Sequence, residues 1–373
     1  MNDFQLHRMG MLMEPLPGDQ RETEGTLNPA AARGADGHLY LFPRLVAKGN
    51  YSRIGIARVK FDEAGDPVGV ERMGIALEPE AEYERRADGG GGCEDPRITF
   101  VEPLERYIMT YTAYSSAGPR IALAQSTDLL HWERIGLATF GKCQGLEFDG
   151  VDNKDASVFP EAIADPLGRP ALAMLHRPLF AGSLPEEKRR RPANYAANIP
   201  RESIWISYCH LGEDGSELAH PCHFASHRRL ASPIASWEQL KIGGGTPPVR
   251  TCHGWMIVYH GVSEVARAIA GGRKLRYSAG VMILAGGHPH LICYRSEQPV
   301  LTPDLAMETQ GTVANVVFPT GIDQRRDLGD PNRFDIYYGM ADNRIGAARL
   351  DVPELLPEGT RAISPLESEL ENA

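Results

Sequence analysis

Two acidic residues, Glu94 and Asp95, stand side by side in the segment GGCEDPRITF (91–100). There, glycines lead through Asp-Pro into an apolar run typical of a β-strand. Asp-Pro is common in turns and most acidic side chains are solvated, so one interpretation is a surface turn. The other is that a strand entrance flanked by glycines presents a catalytic carboxylate for proton transfer.

Similar polar side chains recur along the chain, at the starts and in the middles of short apolar runs. Taken singly, each has an ordinary explanation: Arg177 suits an ion pair, His260 a structural hydrogen bond, and Asp342 a turn cap. Their repetition at equivalent places favours one shared polar site. The full set is Asn28, Arg44, Asp95, Arg97, Lys154, Asp155, His176, Arg177, Tyr259, His260 and Asp342.

The segments that carry these residues share one plan, in which a polar or Pro-containing entrance precedes two short strands. Runs such as YIMTYTAY, WMIVYHG and FDIYYGM have the aromatic and β-branched content of strands, whereas long amphipathic helical patterns are scarce. Five such segments predict an all-β chain folded as a five-bladed β-propeller, because a single sandwich rarely needs so many residues. Polar residues at the strand entrances would then meet in the central funnel.

The repeats predict a single domain over residues 1–373, with its core at about 28–350. The charged, Pro-rich segment 179–202 interrupts the third repeat, and it reads either as a solvated insertion or as a lid or subunit contact beside the active site. Residues 1–26 and 352–373 are expected to be terminal extensions of the repeats.

Composition narrows the class of protein. With 42% hydrophobic and 24% charged residues the chain is typical of a globular protein, and its net charge of -10 argues against a nucleic-acid partner. The sequence lacks a signal-peptide core and any long apolar stretch, so we expect a cytoplasmic protein with no membrane partner. The six cysteines include no CxxC pair, so neither a zinc site nor a disulfide framework is expected.

Several motifs, taken in order and with their spacing, resemble glycoside hydrolase family 130, the β-mannoside phosphorylases and related β-mannosidases. They include NPAAARGADGHLYLFPR, EDPRIT, NKDASVFPE, MLHRP, GWMIVYHG and YYGMADNRIGAA, and the resemblance runs from Asn28 to Leu350. It implies a five-bladed propeller with the active site in its central funnel. It also implies a glycosyltransferase-type phosphorylase that cleaves a β-mannosidic bond with inversion and releases α-mannose 1-phosphate.

The resemblance also implies roles for individual residues. Asp95 in EDPR matches the catalytic general acid, which in the family passes its proton through the 3-hydroxyl of the mannosyl unit to the glycosidic oxygen. The residues that match the phosphate-binding set are Lys154, Arg177 and His260. The residues that match those holding mannosyl hydroxyls are Asn28, Arg44 and Asp342.

Physical chemistry gives these roles a reason. Phosphate is already an anion, so it needs no catalytic base but does need cationic hydrogen-bond donors. Glu94 is expected to bind sugar or to tune Asp95, since two carboxyls facing one pocket raise each other's pKa, although it could also point elsewhere. A modestly raised pKa of Asp95 would suit proton donation near neutral pH.

The remaining candidates have other expected roles. Asp155 is expected to orient Lys154 or to contact sugar, Tyr259 to contact substrate, and Arg97 to brace Asp95. We expect inorganic phosphate as co-substrate, with no metal and no organic cofactor.

Two alternatives stay open at this point. A β-mannosidase of the same family would use water and lack the basic phosphate set, and a non-catalytic carbohydrate-binding propeller would bind saccharide without cleaving it. The sequence leaves open the linkage, the acceptor sugar and the oligomeric state, with a homo-oligomer among the expectations.

Overall fold

The structure, a computed structural model, describes residues 4–143, 145–180, 201–212, 218, 222–267 and 273–357. Most of the predicted insertion, residues 181–200, therefore lies outside the described residues. Nearly all regular structure in the described part is β-strand, with one short α-helix, α1 (Ala306–Thr309), which confirms the predicted all-β class. In these residues no helix is long and apolar enough to cross a membrane.

Within the described residues the strands form four hydrogen-bonded sheets, of which the largest combines two antiparallel units. The two units are joined by a short parallel pairing that aligns Tyr51 with Gly91 and Ser52 with Gly92. The first unit contains β2 (Gly25–Arg33), β3 (Leu39–Ala47), β4 (Tyr51–Phe61) and β5 (Pro67–Leu77). The second contains β6 (Gly91–Val101), β7 (Arg106–Ser115), β8 (Gly118–Ser126) and β9 (Glu133–Leu137).

Two further sheets make the third and fourth units. The third contains β10 (Thr139–Phe140), β11 (Asn153–Val158), β12 (Ile163–Ala164), β13 (Pro170–Pro178), β14 (Ile204–His210) and β15 (His223–Ala231). The fourth contains β16 (Lys241–Gly243), β17 (Val249–Thr251), β18 (Gly254–Arg267), β19 (Arg273–Leu284) and β20 (Ile292–Arg295).

The fifth unit joins strands from both ends of the chain. It contains β21 (Val317–Gln324), β22 (Arg333–Met340), β23 (Arg344–Asp351) and, paired antiparallel with β23, β1 (Gln5–Met13). Part of the segment predicted as an N-terminal extension is thus a strand of the fold. The repeat pattern did not indicate this, because β1 lies far along the chain from its partner.

Alternate side chains of the middle strands pack against different neighbouring units. On β18, Trp255 and Ile257 join a cluster with the third unit, whereas Met256 and Val258 join a cluster with the fifth. This follows from the two-residue period of a strand, and it explains why these strands read as continuous apolar runs.

Five hydrophobic clusters connect the units in order. They lie between the first and second units, the second and third, the third and fourth, the fourth and fifth, and the fifth and first. In the last of these, Leu12 of β1 and Tyr337 of β22 pack with Leu41 of β3 and Val59 of β4. Each described unit therefore buries apolar surface against two others.

Candidate active site

Four of the predicted site residues have left-handed backbone conformations. The φ angles are 45° at Asn28, 47° at Asp95, 58° at Asp155 and 50° at Asp342. The first three lie at register irregularities of β2, β6 and β11, which are the strands at equivalent positions in their units. A bulge of this kind re-aims a side chain out of the strand's regular alternation, and Asn and Asp tolerate the conformation best.

Asp95 sits in a network of short hydrogen bonds from three strands. One carboxylate oxygen accepts from Asn28 Nδ2 at 2.9 Å and from Arg44 Nη1 at 3.2 Å. Arg44 also donates to Glu94 at 2.8 Å, and Lys154 Nζ lies 3.3 Å from the other Glu94 oxygen. Glu94 therefore faces the same site as Asp95 and links it to Lys154.

The electrostatics of Asp95 differ from the expectation. Burial by itself would raise the pKa of Asp95, but the charges of Arg44, Arg97 and Lys154 and the bond from Asn28 outweigh it and lower the pKa. The expected raised pKa was wrong, because cations contributed by other strands were not visible in the local sequence.

At this site, the pKa of the Asp342 carboxyl is raised to about 6. Burial is the main cause, and repulsion from Asp95 adds to it, while the charge of Arg44 opposes both. The site thus holds two different carboxyls. Asp95 ionises easily, whereas Asp342 stays largely protonated below about pH 6.

A basic group adjoins these carboxyls. Lys154 on β11 is the cross-strand partner of Arg177 on β13. Burial alone would lower the pKa of Lys154, but the charges of Glu94 and Asp95 raise it. Arg177 Nε donates to Asp155 at 2.6 Å, and the guanidinium also binds Glu202. Asp155 therefore orients Arg177 rather than Lys154 through a direct bond.

A buried chain of hydrogen bonds fixes the strands behind Lys154 and Arg177. Asn153 Nδ2 lies 2.9 Å from His176 Nδ1, and His176 Nε2 lies 2.7 Å from Ser207 Oγ. Ser207 Oγ lies 2.6 Å from His227 Nδ1, whose Nε2 donates to the carbonyl of Gly141 at 2.9 Å. If both histidines are neutral, each group in the chain can donate one hydrogen bond to the next, from Asn153 to the carbonyl of Gly141. Burial lowers the pKa of both histidines and so favours their neutral forms.

His260 belongs to the basic group by position but not by charge. Its Nε2 lies 3.7 Å from Asp155, and its ring packs against Phe318 with centroids 4.5 Å apart. Burial lowers the pKa of His260 to about 3, so the imidazole is neutral rather than the cation expected from sequence. Within the described residues neither nitrogen of this fully buried ring has a hydrogen-bond partner, which is unusual for a buried polar group.

The structure adds a cation that the sequence reasoning missed. Lys241 Nζ lies 3.8 Å from a Glu202 oxygen and 5.7 Å from the centroid of the Tyr277 ring. Burial and repulsion from Arg177 lower the pKa of Lys241 to about 7, against the attraction of Asp155. Lys241 begins β16 and lies two residues before Gly243, the cross-strand partner of His260.

The glycines after Lys241 allow close packing against the site. A Cβ on Gly243 would collide with Asp155 Oδ2 and with the ring of His260. The carbonyls of Gly244 and Gly245 accept hydrogen bonds from Arg97, which also donates to the backbone carbonyl of Asp95 at 2.8 Å. Arg97 thus braces Asp95 through the backbone, in line with the structural role expected for it.

Tyr259 is not brought to this site. Its ring packs against Trp237, and its hydroxyl donates to Glu238 at 2.6 Å and accepts from Arg295 at 3.2 Å. Neighbouring residues of a strand face opposite sides, so the position of His260 in the site sends Tyr259 into the core. The substrate contact expected for Tyr259 therefore has no support in its position.

The assembled site combines carboxyls with a nest of cations. The described residues that meet there are Asn28, Arg44, Glu94, Asp95, Lys154, Asp155, Arg177, Lys241, His260 and Asp342. In the described part of the chain no cluster of His, Cys, Asp and Glu is arranged to hold a metal ion. Such a site can donate hydrogen bonds to sugar hydroxyls, exchange a proton and bind an anion.

Comparison with known proteins agrees with this chemistry. A family model described as beta-1,4-mannooligosaccharide phosphorylase matches residues 12–358. The 1,2-beta-oligomannan phosphorylase of a Thermoanaerobacter species is 28% identical over 92% of this chain and 96% of its own length. The beta-1,4-mannooligosaccharide phosphorylase of Ruminococcus albus is 28% identical over 70% of this chain and 63% of its own length.

Solved structures share the fold. The beta-1,2-mannobiose phosphorylase of Listeria innocua, solved with beta-1,2-mannobiose, superposes with a TM-score of 0.65 at 21% identity, over 99% of each chain. The similarity therefore covers the whole fold, including β1 and the fifth unit.

Proposed function

The chain belongs to glycoside hydrolase family 130, and we propose that it is a β-mannoside phosphorylase. In this reaction an oxygen of inorganic phosphate attacks the anomeric carbon of a β-mannosyl unit. The glycosidic bond breaks, the leaving oxygen takes a proton, and the products are α-mannose 1-phosphate and the shortened acceptor. The configuration at the anomeric carbon is inverted.

The basic group beside Asp95 is the observation that carries this proposal. Lys154, Arg177 and Lys241 supply positive charge, and His260 supplies an unpaired ring nitrogen. A hydrolase that uses water needs a carboxylate base instead of a group of cations. Cations that overcome charge repulsion are what a phosphate nucleophile requires.

Asp95 is proposed as the general acid, with its proton passed through the mannosyl 3-hydroxyl. Its lowered pKa in the free protein has a direct explanation, since Lys154 and two arginines face it. Bound phosphate would neutralise part of this positive field and raise the pKa of Asp95. Phosphate binding would thus prepare the acid as well as supply the nucleophile.

The mannosyl unit would be held by the carboxyls and amide around Asp95. Asn28 and Arg44 already donate to Asp95, and Asp342 interacts with the same guanidinium. We propose that these groups exchange their present partners for sugar hydroxyls. The exchange is needed because each buried sugar hydroxyl left without a hydrogen-bond partner would cost about 1–3 kcal/mol. Glu94 has the same access through Arg44 and Lys154.

We infer that the five units are the blades of a five-bladed propeller with the site at its centre. The cyclic order of the five hydrophobic clusters supports this arrangement, and so does the position of the site residues on the corresponding strands. We further propose that the reaction needs no metal or organic cofactor. Cytoplasmic location and assembly into a homo-oligomer stay predictions.

The test is conversion of β-1,2- and β-1,4-mannobiose by the purified protein, with and without inorganic phosphate. We expect α-mannose 1-phosphate and mannose in equal amounts, and no turnover when phosphate is omitted. Full turnover in phosphate-free buffer would indicate a β-mannosidase. Saccharide binding without any product would indicate a non-catalytic binding protein.

A further inference from the structure

The carboxylate of Glu202 lies against two of the cations that the proposed function assigns to phosphate. It accepts a hydrogen bond from Arg177 Nη1, and one of its oxygens is 3.8 Å from Lys241 Nζ. Its side chain is only 16% exposed. The chain therefore supplies an anion of its own, the Glu202 carboxylate, against Arg177 and Lys241.

The backbone of Glu202 is anchored beside Lys241. Its carbonyl accepts a hydrogen bond from the amide of Ile242 at 3.2 Å, and residue 202 forms a parallel bridge with residue 241. This anchoring keeps the carboxylate near the cations.

The remaining hydrogen-bonding edge of Arg177 is also occupied. Asp155 accepts from Arg177 Nε at 2.6 Å and is nearly fully buried, so it is unlike Glu202 in having little freedom to move. A phosphate that binds Arg177 through two parallel hydrogen bonds must use the terminal nitrogen that now binds Glu202. Phosphate and the Glu202 carboxylate therefore compete for the same donor.

We propose that Glu202 is an internal competitor of phosphate that sets the affinity and anion selectivity of the site. This inference rests on the proposed phosphorylase function. An anion enters only if its interaction with the cations exceeds that of the resident carboxylate. A multiply charged tetrahedral anion meets this condition, whereas a singly charged anion such as chloride or acetate does not.

The test compares the wild-type protein with Glu202→Gln in steady-state kinetics at saturating mannobiose. We expect the KM for phosphate to fall about tenfold, as follows from removal of one competing charge contact, while kcat stays within about twofold. Inhibition by sulfate and by acetate is expected to strengthen in the variant. Glu161→Gln serves as the matched control, because Glu161 pairs with Arg250 at 2.6 Å, away from the site.

Two outcomes overturn the proposal. An unchanged KM for phosphate means that Glu202 does not compete, and a raised KM means that it positions Arg177 for phosphate. If the Gln variant does not fold, Glu202→Asp carries the test: its shorter side chain weakens the contact with Arg177, so a smaller decrease in KM is expected and an increase contradicts the proposal. Failure of the phosphorylase function itself is separate, since it would show as phosphate-independent turnover by the wild-type protein.

Discussion

Asp95 and Asp342 interact with the same guanidinium, that of Arg44, yet their pKa values move in opposite directions. Asp95 has Arg97 and Lys154 as further cations and a hydrogen bond from Asn28, so its ionised form is favoured. Asp342 is buried and is also repelled by Asp95 and Glu94, so its neutral form is favoured. Near pH 6 the environment thus leaves Asp95 ionised and Asp342 about half protonated.

Replacement of Asp342 by Asn is expected to stabilise the protein at neutral pH. The folded pKa of Asp342, about 6, exceeds its ordinary value of 3.8, so folding favours the protonated carboxyl. Its contribution to stability is therefore present at low pH and is lost as pH rises from the unfolded to the folded pKa. Asn keeps a neutral side chain and tolerates the left-handed backbone.

We expect Asp342→Asn to raise the free energy of unfolding at pH 7.5 by about 2 kcal/mol, and the gain to shrink toward pH 4. Urea denaturation at both pH values measures it. Mannobiose turnover should fall in the same variant, because the proposed sugar contact is altered. A variant less stable than wild type at pH 7.5 would show that the ionised carboxyl is needed for folding.

Replacement of Asp95 by Asn removes the proposed acid while keeping a side chain that fits its backbone. Loss of general acid catalysis is expected to lower kcat by about 100- to 10,000-fold. The variant should also be less stable at neutral pH, because the lowered pKa of Asp95 means that folding favours its ionised form, which Asn lacks. Release of α-mannose 1-phosphate measures this. Asp36→Asn, at a turn where Asp36 bonds Tyr40 at 2.6 Å, is the control and should retain wild-type kcat. Turnover near wild type in Asp95→Asn would remove Asp95 from the mechanism.

Lys241 is expected to make anion binding dependent on pH. Its pKa of about 7 means that the amine is charged below this pH and neutral above it, although bound anion will raise the value. Arg177, Lys154, Asp155 and Glu202 are the charged groups that face it. Sulfate is the suitable probe, since its charge is constant over this range.

Calorimetric titration should show sulfate binding that weakens about tenfold between pH 6 and pH 8.5 in the wild-type protein. Lys241→Arg should bind with a flatter pH dependence, because guanidinium stays charged throughout. Equal pH dependence in both proteins would assign the titration to another group.

Gly243→Ala tests the close packing of β16 against the site. The added methyl would meet Asp155 and His260, so either the side chains or the strand must shift. We expect the KM for phosphate to rise at least tenfold, since Asp155 orients Arg177, with a smaller effect on kcat. Gly287→Ala is the control, because a Cβ there meets nothing within 4 Å. Unchanged kinetics in Gly243→Ala would mean that the site relaxes without loss.

The sequence predicted much of the site because its residues recur at strand entrances. Asn28, Asp95 and Asp155 could be assigned to one place on that basis, and the bulges give the physical reason for the recurrence. The same reasoning did not hold for Tyr259, because side chains alternate along β18 and Tyr259 faces the opposite side from its neighbour His260. Lys241 was missed because a lysine before three glycines also suits an exposed turn.

Charge states could not be predicted from local sequence. The two acids in EDPR suggested mutual elevation of their pKa values, but Arg44 and Lys154 come from other strands and reverse the effect on Asp95. The neutral state of His260 likewise depends on its burial beside Phe318. Predicting such pKa values requires the positions of side chains from several assembled units.

The pairing of β1 with β23 has a consequence for synthesis of the protein. Asp342 lies in the turn between β22 and β23, and their sheet contains both an early and a late strand of the fold, so this sheet is completed only after β23 has left the ribosome. Contacts between such distant segments form slowly, and until they form the edge of β23 is open to other chains. In a nascent chain, Asp95 and the cations of the site should therefore be present before burial raises the pKa of Asp342.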